Sequence, residues 1–224
     1  MKQRTSCIAM AAVVMSGSLA GIAEAADLER KLRVSAEIYA DFFSGEDDAR
    51  NRVLTEAKCI AVIPNMIKGA LGIGGHKGTG VISCRDGSEW SPPAFVKIIG
   101  GSLGLQIGGE ESDLVLFFMT KRGVESLLET KFTLGAEAGV AAGPYGASAE
   151  SNTDLRFRAE IYAYARSRGL FAGLSIEGGS LTISQKLIKR YYGERIWPED
   201  ILFDHQVPTL PSEARAFMQV LPRS

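Results

Sequence analysis

Residues 57–109 constrain the chain more than any other stretch. They read AKCIAVIPNMIKGALGIGGHKGTGVISCRDGSEWSPPAFVKIIGGSLGLQIGG. Apolar runs of strand length at 60–63, 81–83, 95–99 and 103–107 alternate with glycine clusters and the pair Pro92-Pro93. Runs of β-branched residues bounded by turn residues read as consecutive short strands. Glycine supplies positive φ at tight turns and lets two backbones approach closely. Of the 25 glycines in the chain, 21 fall between Gly69 and Gly179, which marks a β-rich body with helical flanks. The short connections between these strands favour antiparallel pairing over βαβ crossovers. The expected fold is α+β: a strongly bent antiparallel sheet or partial β-barrel with flanking N- and C-terminal helices.

Residues 1–25 have the form of a secretory signal peptide. Lys2 and Arg4 precede an apolar stretch rich in small residues, and Ala23-Glu24-Ala25 supplies a cleavage site of the A-x-A type. The expected mature chain starts near Ala26 and is exported, periplasmic or secreted. About 200 residues then remain, enough for one domain with a substantial core. With 25 Lys and Arg against 26 Asp and Glu the whole chain is close to neutral, which argues against nucleic acid as a partner. Past the leader two cysteines are left, Cys59 and Cys84, expected on two neighbouring strands. In an oxidising compartment the pair is a disulfide candidate; the alternative is two buried thiols.

Residues 27–44 (DLERKLRVSAEIYADFFS) pattern as an amphipathic helix that Asp27 caps. Leu28, Leu32, Ala36, Tyr39 and Phe43 recur at helical spacing, with Arg30, Lys31 and Arg33 among the polar positions. Two readings stand for the stripe: packing on the sheet, or insertion into a bilayer with the basic residues at the headgroups. A second helix is expected over 48–58, a central strand over 113–120 and a helix over 121–130. Further strands are expected within 131–142 and at 159–166 and 170–176, with turns at 143–146 and 167–169. A helical turn at 187–192 precedes a tail, 194–224, that lies on the domain as a strap with a short helix at 212–220.

Catalytic constellations are poorly represented. The run Gly72-Ile73-Gly74-Gly75-His76-Lys77-Gly78 matches neither phosphate-loop pattern. The two histidines, His76 and His205, form no metal-ligand pair, and no nucleophile elbow is present. Glu110, Glu111 and Asp113 read as a solvated hairpin end rather than a carboxylate pair or a calcium site. The sequence therefore reads as non-enzymatic, with no cofactor. Lys68, His76, Lys77 and Arg85 lie around the glycine-rich segments and Lys97 on a nearby strand; turns pointing one way would gather them into a basic patch. Each Lys or Arg near an anionic membrane contributes about 1 kcal/mol, so three or four with a shallow apolar insertion suffice for reversible binding.

A set of motifs in this order and spacing resembles the SYLF lipid-binding domain family. They are Pro64 with Lys68 and Gly69, Gly72-Ile73-Gly74-Gly75, Gly78, Gly80, Trp90-Ser91-Pro92-Pro93, Gly100-Gly101-Ser102 and Gln106-Ile107-Gly108. The series continues with Asp113-Leu114-Val115-Leu116, Ala142-Gly143-Pro144, residues 164–173 (YARSRGLFAG) and Tyr191-Tyr192-Gly193. The resemblance covers about 26–193 and implies a lipid-binding domain, phosphoinositide-binding in eukaryotic relatives, to which an N-terminal amphipathic segment contributes. Lys68 matches a basic position of the family pattern. The expected function is non-catalytic binding of an anionic phospholipid or membrane surface through Lys68, Lys77, Arg85, Lys97, Arg30, Lys31 and Arg33. An exported chain would meet phosphatidylglycerol, cardiolipin or lipid A. The alternative is a periplasmic structural or protein-interaction module that binds envelope proteins.

Overall fold

The structure, a computed structural model, describes residues 6–44, 48–128, 132–134, 140–142, 159–167 and 179–222. Helix α1 (Ser6–Phe42) and helix α2 (Asp48–Glu56) lead into strand β1 (Cys59–Asp86). Strands β2 (Glu89–Trp90) and β3 (Ala94–Phe118) follow, then helix α3 (Lys121–Leu128) and the short strands β4 (Phe132–Thr133) and β5 (Val140–Ala142). Strands β6 (Ile161–Ser167) and β7 (Ser180–Ile183) precede three helices: α4 (Gln185–Tyr192), α5 (Pro198–Leu202) and α6 (Ser212–Val220). The turns expected at 143–146 and 168–169 and the strand at 170–176 lie outside the described residues.

The four short strands expected in 57–109 are parts of two long ones. The runs 60–63 and 81–83 are the two ends of β1, 28 residues long, and β3 carries the runs 95–99, 103–107 and 113–118 through 25 residues. The glycine clusters between them bend the strands rather than turn the chain. A straight 28-residue strand would be roughly 90 Å long, whereas a domain of this size has a radius of gyration of about 17 Å. The pair β1–β3 therefore has to curl, and two register shifts, at Ile63/Met66 and Leu71/Ile73, interrupt its antiparallel ladder. At the first, Asn65 takes a left-handed φ of 50° and its backbone N–H donates to Oδ1 of the buried Asp113, 3.1 Å away. Such bulges increase local bending.

The curl brings the two ends of β1 together. The N–H of Arg85 donates to the carbonyl of Lys58 at 2.7 Å, and the Cα atoms of Cys59 and Cys84 are 4.0 Å apart, with their sulfurs at bonding distance. The cysteines thus sit at opposite ends of one strand, not on two neighbouring strands. Where the strand crosses itself the backbones nearly touch. A Cβ added at Gly80 would overlap the carbonyl oxygen of Val62 and lie 2.7 Å from the Cα of Ile63. Gly100 is closed in the same way by the imidazole of His76, its partner across the ladder, and by the Cα of Gly179.

The seven strands form one bent sheet that does not close into a barrel, with path β2-β1-β3-β6-β5 and β7 pairing with both β3 and β4. All pairs are antiparallel except β5–β6. β6 and β7 pair with β3 in one register: Ile161 faces Phe118 and Ile183 faces Val96, the same 22 positions apart on both sides. The core lies in the curl, from Ile60, Val62, Ile82, Val96 and Ile98 to Leu114, Phe117 and Leu181. α1 seals one side. Leu28, Leu32, Ile38 and Tyr39 are buried, and Phe43 packs edge-on against Phe117 and Tyr164 at 5.2 and 5.6 Å. The helix runs on through the expected start at Asp27, whose carboxylate pairs with Arg30 at 2.7 Å instead of capping an end. α4 ends on Gly193 in the left-handed region, φ 85°, with Lys189 and Arg190 in its last turn, where cations favour the helix dipole.

Two predictions follow from the crossing. Gly80→Ala should destabilise the protein by about 3 kcal/mol, because its neighbours are backbone atoms that cannot rotate away. Gly69→Ala, where nothing lies within 4 Å, should change stability by less than about 1 kcal/mol; denaturant midpoints of the two variants make the comparison. His76 is only 4% exposed, and neither ring nitrogen has a partner among the described residues. Burial, reinforced by the charge of Lys68, lowers the imidazole pKa below its ordinary 6.5. The unfolded chain thus takes up this proton at higher pH than the folded one. Stability should fall as pH drops from 6.5 toward the lowered folded value, and His76→Gln should flatten that limb in pH-dependent unfolding.

Candidate functional site

Residues directly opposite one another in a ladder point to the same face, and alternate residues along a strand share it. The register therefore builds one surface across four strands. Lys77 on β1 faces Ile99 on β3, Ile99 faces Ser180 on β7, and Ser180 faces Thr133 on β4. The next row is Thr79, Lys97 and Thr182. One row further, Val81 and Phe95 are buried, with Phe95 edge-on to Tyr191 of α4 at 5.1 Å. Helix α4 thus covers this row and leaves the first two open. Ile99 is 63% exposed, Lys77 is exposed, and Lys97 is half-buried. The opposite face of the same segments carries Gly78, Gly80, Val96, Ile98 and Leu181, which form the core.

The seven basic residues singled out from the sequence separate into distinct groups. Lys77 and Lys97 share the open face, one row apart. Lys68 is an odd number of positions from Lys77 and lies on the other face with Met66 and His76, opposite Glu110 across the ladder. Its charge acts on His76, consistent with that placement. Arg85 is a structural residue. Its guanidinium donates to the carbonyls of Thr55 and Leu54 at the end of α2, at 2.9 and 3.2 Å, and to that of Pro222 at 3.3 Å, while stacking on Trp90 at 4.6 Å. The Trp90 indole N–H donates to the same Pro222 carbonyl at 2.8 Å, so the C-terminal strap is fastened over the junction of the ends of β1.

On α1 the side chain of Arg30 pairs with Asp27 and that of Arg33 with Glu213 of α6 at 3.5 Å; burial lowers the Lys31 amine pKa, with Asp27 opposing. The apolar stripe between them is packed on the sheet. Fully burying each such side chain contributes about 1.5–3 kcal/mol, so freeing Leu28, Leu32, Ile38 and Tyr39 would cost roughly 6–12 kcal/mol, as much as a whole domain's stability. Packing on the sheet, not insertion into a bilayer, is the arrangement found. Asp113 is likewise no part of a solvated hairpin end. It is buried in mid-strand between the Asn65 bulge and Arg166, whose guanidinium lies 3.5 Å from its Oδ2 and 3.6 Å from Asp41 of α1. Among the described residues no group of three His, Cys, Asp or Glu is placed to hold a metal ion.

Sequence reasoning missed Ile99 as the apolar centre of the open face, with Thr79, Ser180 and Thr182 around it. The signal was the alternation Lys97-Ile98-Ile99 and Ser180-Leu181-Thr182, in which only the middle residue is buried. As a surface, the face offers two cations, hydroxyl groups and one protruding aliphatic side chain on a rigid sheet.

Residues 99–224 match the profile of the Ysc84 family, described as Las17-binding protein actin regulator. The SH3 domain-containing YSC84-like protein 1 of Rattus norvegicus is 34% identical over 206 residues, spanning 87% of this chain and 59% of its own length. The human protein of that name is also 34% identical over 206 residues, with 87% of this chain and 58% of its own length covered. LAS seventeen-binding protein 3 of Saccharomyces cerevisiae is 33% identical over 186 residues, 78% of this chain and 40% of its own. The chain thus spans about three fifths of the vertebrate relatives and less of the yeast one. With more than half of its residues matched by the family profile, and with relatives 34% identical over 87% of its length, the chain belongs to the Ysc84, or SYLF, family.

Proposed function

We propose that the protein is a non-catalytic binding module that docks on anionic phospholipid surfaces through the open sheet face of Lys77, Ile99 and Lys97. The observation that carries this reading is the exposure of Ile99 between two lysines that share its face. Two cations contribute about 2 kcal/mol at an anionic membrane, and partial burial of Ile99 adds roughly 1–2 kcal/mol. Binding by one copy is therefore weak and reversible. The packed stripe of α1 and the engaged side chains of Arg30, Arg33 and Arg85 leave the sheet face to do the binding. On this reading residues 1–25 are an exporting leader, the lipid is that of an envelope membrane, and export oxidises the Cys59–Cys84 pair.

A second reading, a protein-interaction module, rests on the names of the relatives. Those describe Las17-binding proteins and an actin regulator, partners that are proteins. Salt separates the two, since a screened charge interaction weakens with ionic strength and an apolar protein contact does not.

Co-sedimentation with vesicles tests the proposal. Pelleting with phosphatidylglycerol vesicles at low salt, loss at higher salt, and none with phosphatidylcholine are expected. Lys77→Glu combined with Lys97→Glu should lower the affinity at least about tenfold, and Ile99→Ser should weaken it by a smaller factor, whereas Lys68→Glu should leave it unchanged. Equal pelleting of the double variant would overturn the assignment of this face.

A further inference from the structure

A second exposed apolar site lies in the strap. Trp197 is 55% exposed and Phe203 39% exposed, at the two ends of α5. The backbone between them is held fast, because Ile196, Pro198, Ile201 and Leu202 are buried beneath it. Both rings therefore project from an anchored segment rather than from a loose loop. Along the chain this segment is acidic: Glu194, Glu199, Asp200 and Asp204 fall within the same eleven residues as the two rings, against one base, Arg195. The Arg195 guanidinium stacks on the Trp197 ring at 4.6 Å. None of the four carboxylates has an ion-pair partner among the described residues, and neither do Lys77 and Lys97.

The chain thus carries a basic face and an acidic segment whose charges have no ion-pair partner among the described residues, the first with Ile99 exposed and the second with Trp197 and Phe203 exposed. Lys77 lies opposite Ile99 in the ladder and Lys97 one row on, and four carboxylates share the segment 194–204 with Trp197 and Phe203. The two are not paired with each other within the chain. Exposed aromatic residues are the side chains that most often anchor an interface, and complementary charge around them sets orientation and rejects wrong partners. We propose that a second copy of this chain docks head to tail, the Lys77–Ile99–Lys97 face of one copy on the Trp197–Phe203 site of the next. The two surfaces differ, so the contact is heterologous. Each copy added leaves one of each surface free, and growth continues unless the rotation closes a ring. The inference goes beyond membrane binding and does not require it. Because it uses the same basic face, self-association and membrane docking exclude one another at each copy.

Sedimentation velocity of the full chain, at rising concentration in low salt and without lipid, tests this. The weight-average sedimentation coefficient should rise with concentration and pass the value for a dimer, and high salt should reverse the rise. Lys77→Glu with Lys97→Glu, or Glu199→Lys with Asp200→Lys, should each weaken association at least about tenfold by placing like charges together. An equimolar mixture of these two double variants should associate again, since each then presents a surface complementary to the other's. Circular dichroism and unfolding midpoints equal to the parent's establish that both variants are folded. The chain has two tryptophans, and Trp90 is buried against Pro222; a blue shift of emission on association would therefore report Trp197 entering the contact. A sedimentation coefficient independent of concentration overturns the proposal, as does a rise that survives either double variant or a mixture that fails to associate. Vesicle pelleting separates this from the membrane reading. The Glu199→Lys, Asp200→Lys variant should still pellet with phosphatidylglycerol, while the lysine variant should lose both activities.

Discussion

The fold depends on one close approach, the passage of β1 across itself at Gly80. A 28-residue strand fits a domain of this size only if it doubles back, and there the backbone of residue 80 lies against Val62 and Ile63 with no room for a side chain. The surrounding contacts serve that crossing. The Asn65 bulge and Asp113 set the first bend, and the Arg85 N–H joins the last turn of the curl to Lys58. Arg85 and Trp90 then fasten the C-terminal strap over the junction through Pro222. A curl of this kind gives the sheet an inner face that is mostly core and an outer face that must be covered piece by piece.

How that outer face is covered determines what is left for function. α4 lays Tyr191 over Phe95 and ends at Gly193, so the rows of Lys97 and Lys77 beyond it remain open. Helix α1, whose sequence alone allows either packing on the sheet or insertion into a bilayer, is part of the core. Its stripe is the partner of the sheet, not of a bilayer. The basic residues follow the same division: Arg85 and Arg33 join separate elements and Arg30 pairs within α1, while Lys77 and Lys97 carry charge that nothing among the described residues neutralises.

Much of this was legible in the sequence, and the exceptions have physical causes. Strand-forming runs, glycine density and helix periodicity pointed to a bent antiparallel sheet between helices, and the helix at 212–220 lies where its pattern put it. The reach of the strands was not legible. A glycine cluster that permits a turn equally permits a bend inside a continuous strand, and only the ladder partner distinguishes them. That ambiguity put Cys59 and Cys84 on different strands and Glu110–Asp113 at a hairpin end. The distribution of the basic residues over two faces was hidden for a related reason. Lys68 and Lys77 are close in sequence, but side chains alternate along a strand, and an odd separation sends them to opposite faces. Arg85 looked like a free cation because the carbonyls that hold it come from α2 and from the C-terminus.

The most direct test of the crossing is a proton–proton NOE experiment on the folded protein, observing the Gly80 Hα pair. Strong cross-peaks to Ile63, with further contacts between the 59–63 and 80–84 segments, are the result expected of a strand doubled over itself. Cross-peaks from Gly80 to Val96 and its neighbours on β3 alone, with none to Ile63, would mean a straight hairpin. That would contradict the curl, and with it the division of faces that exposes Lys77, Ile99 and Lys97.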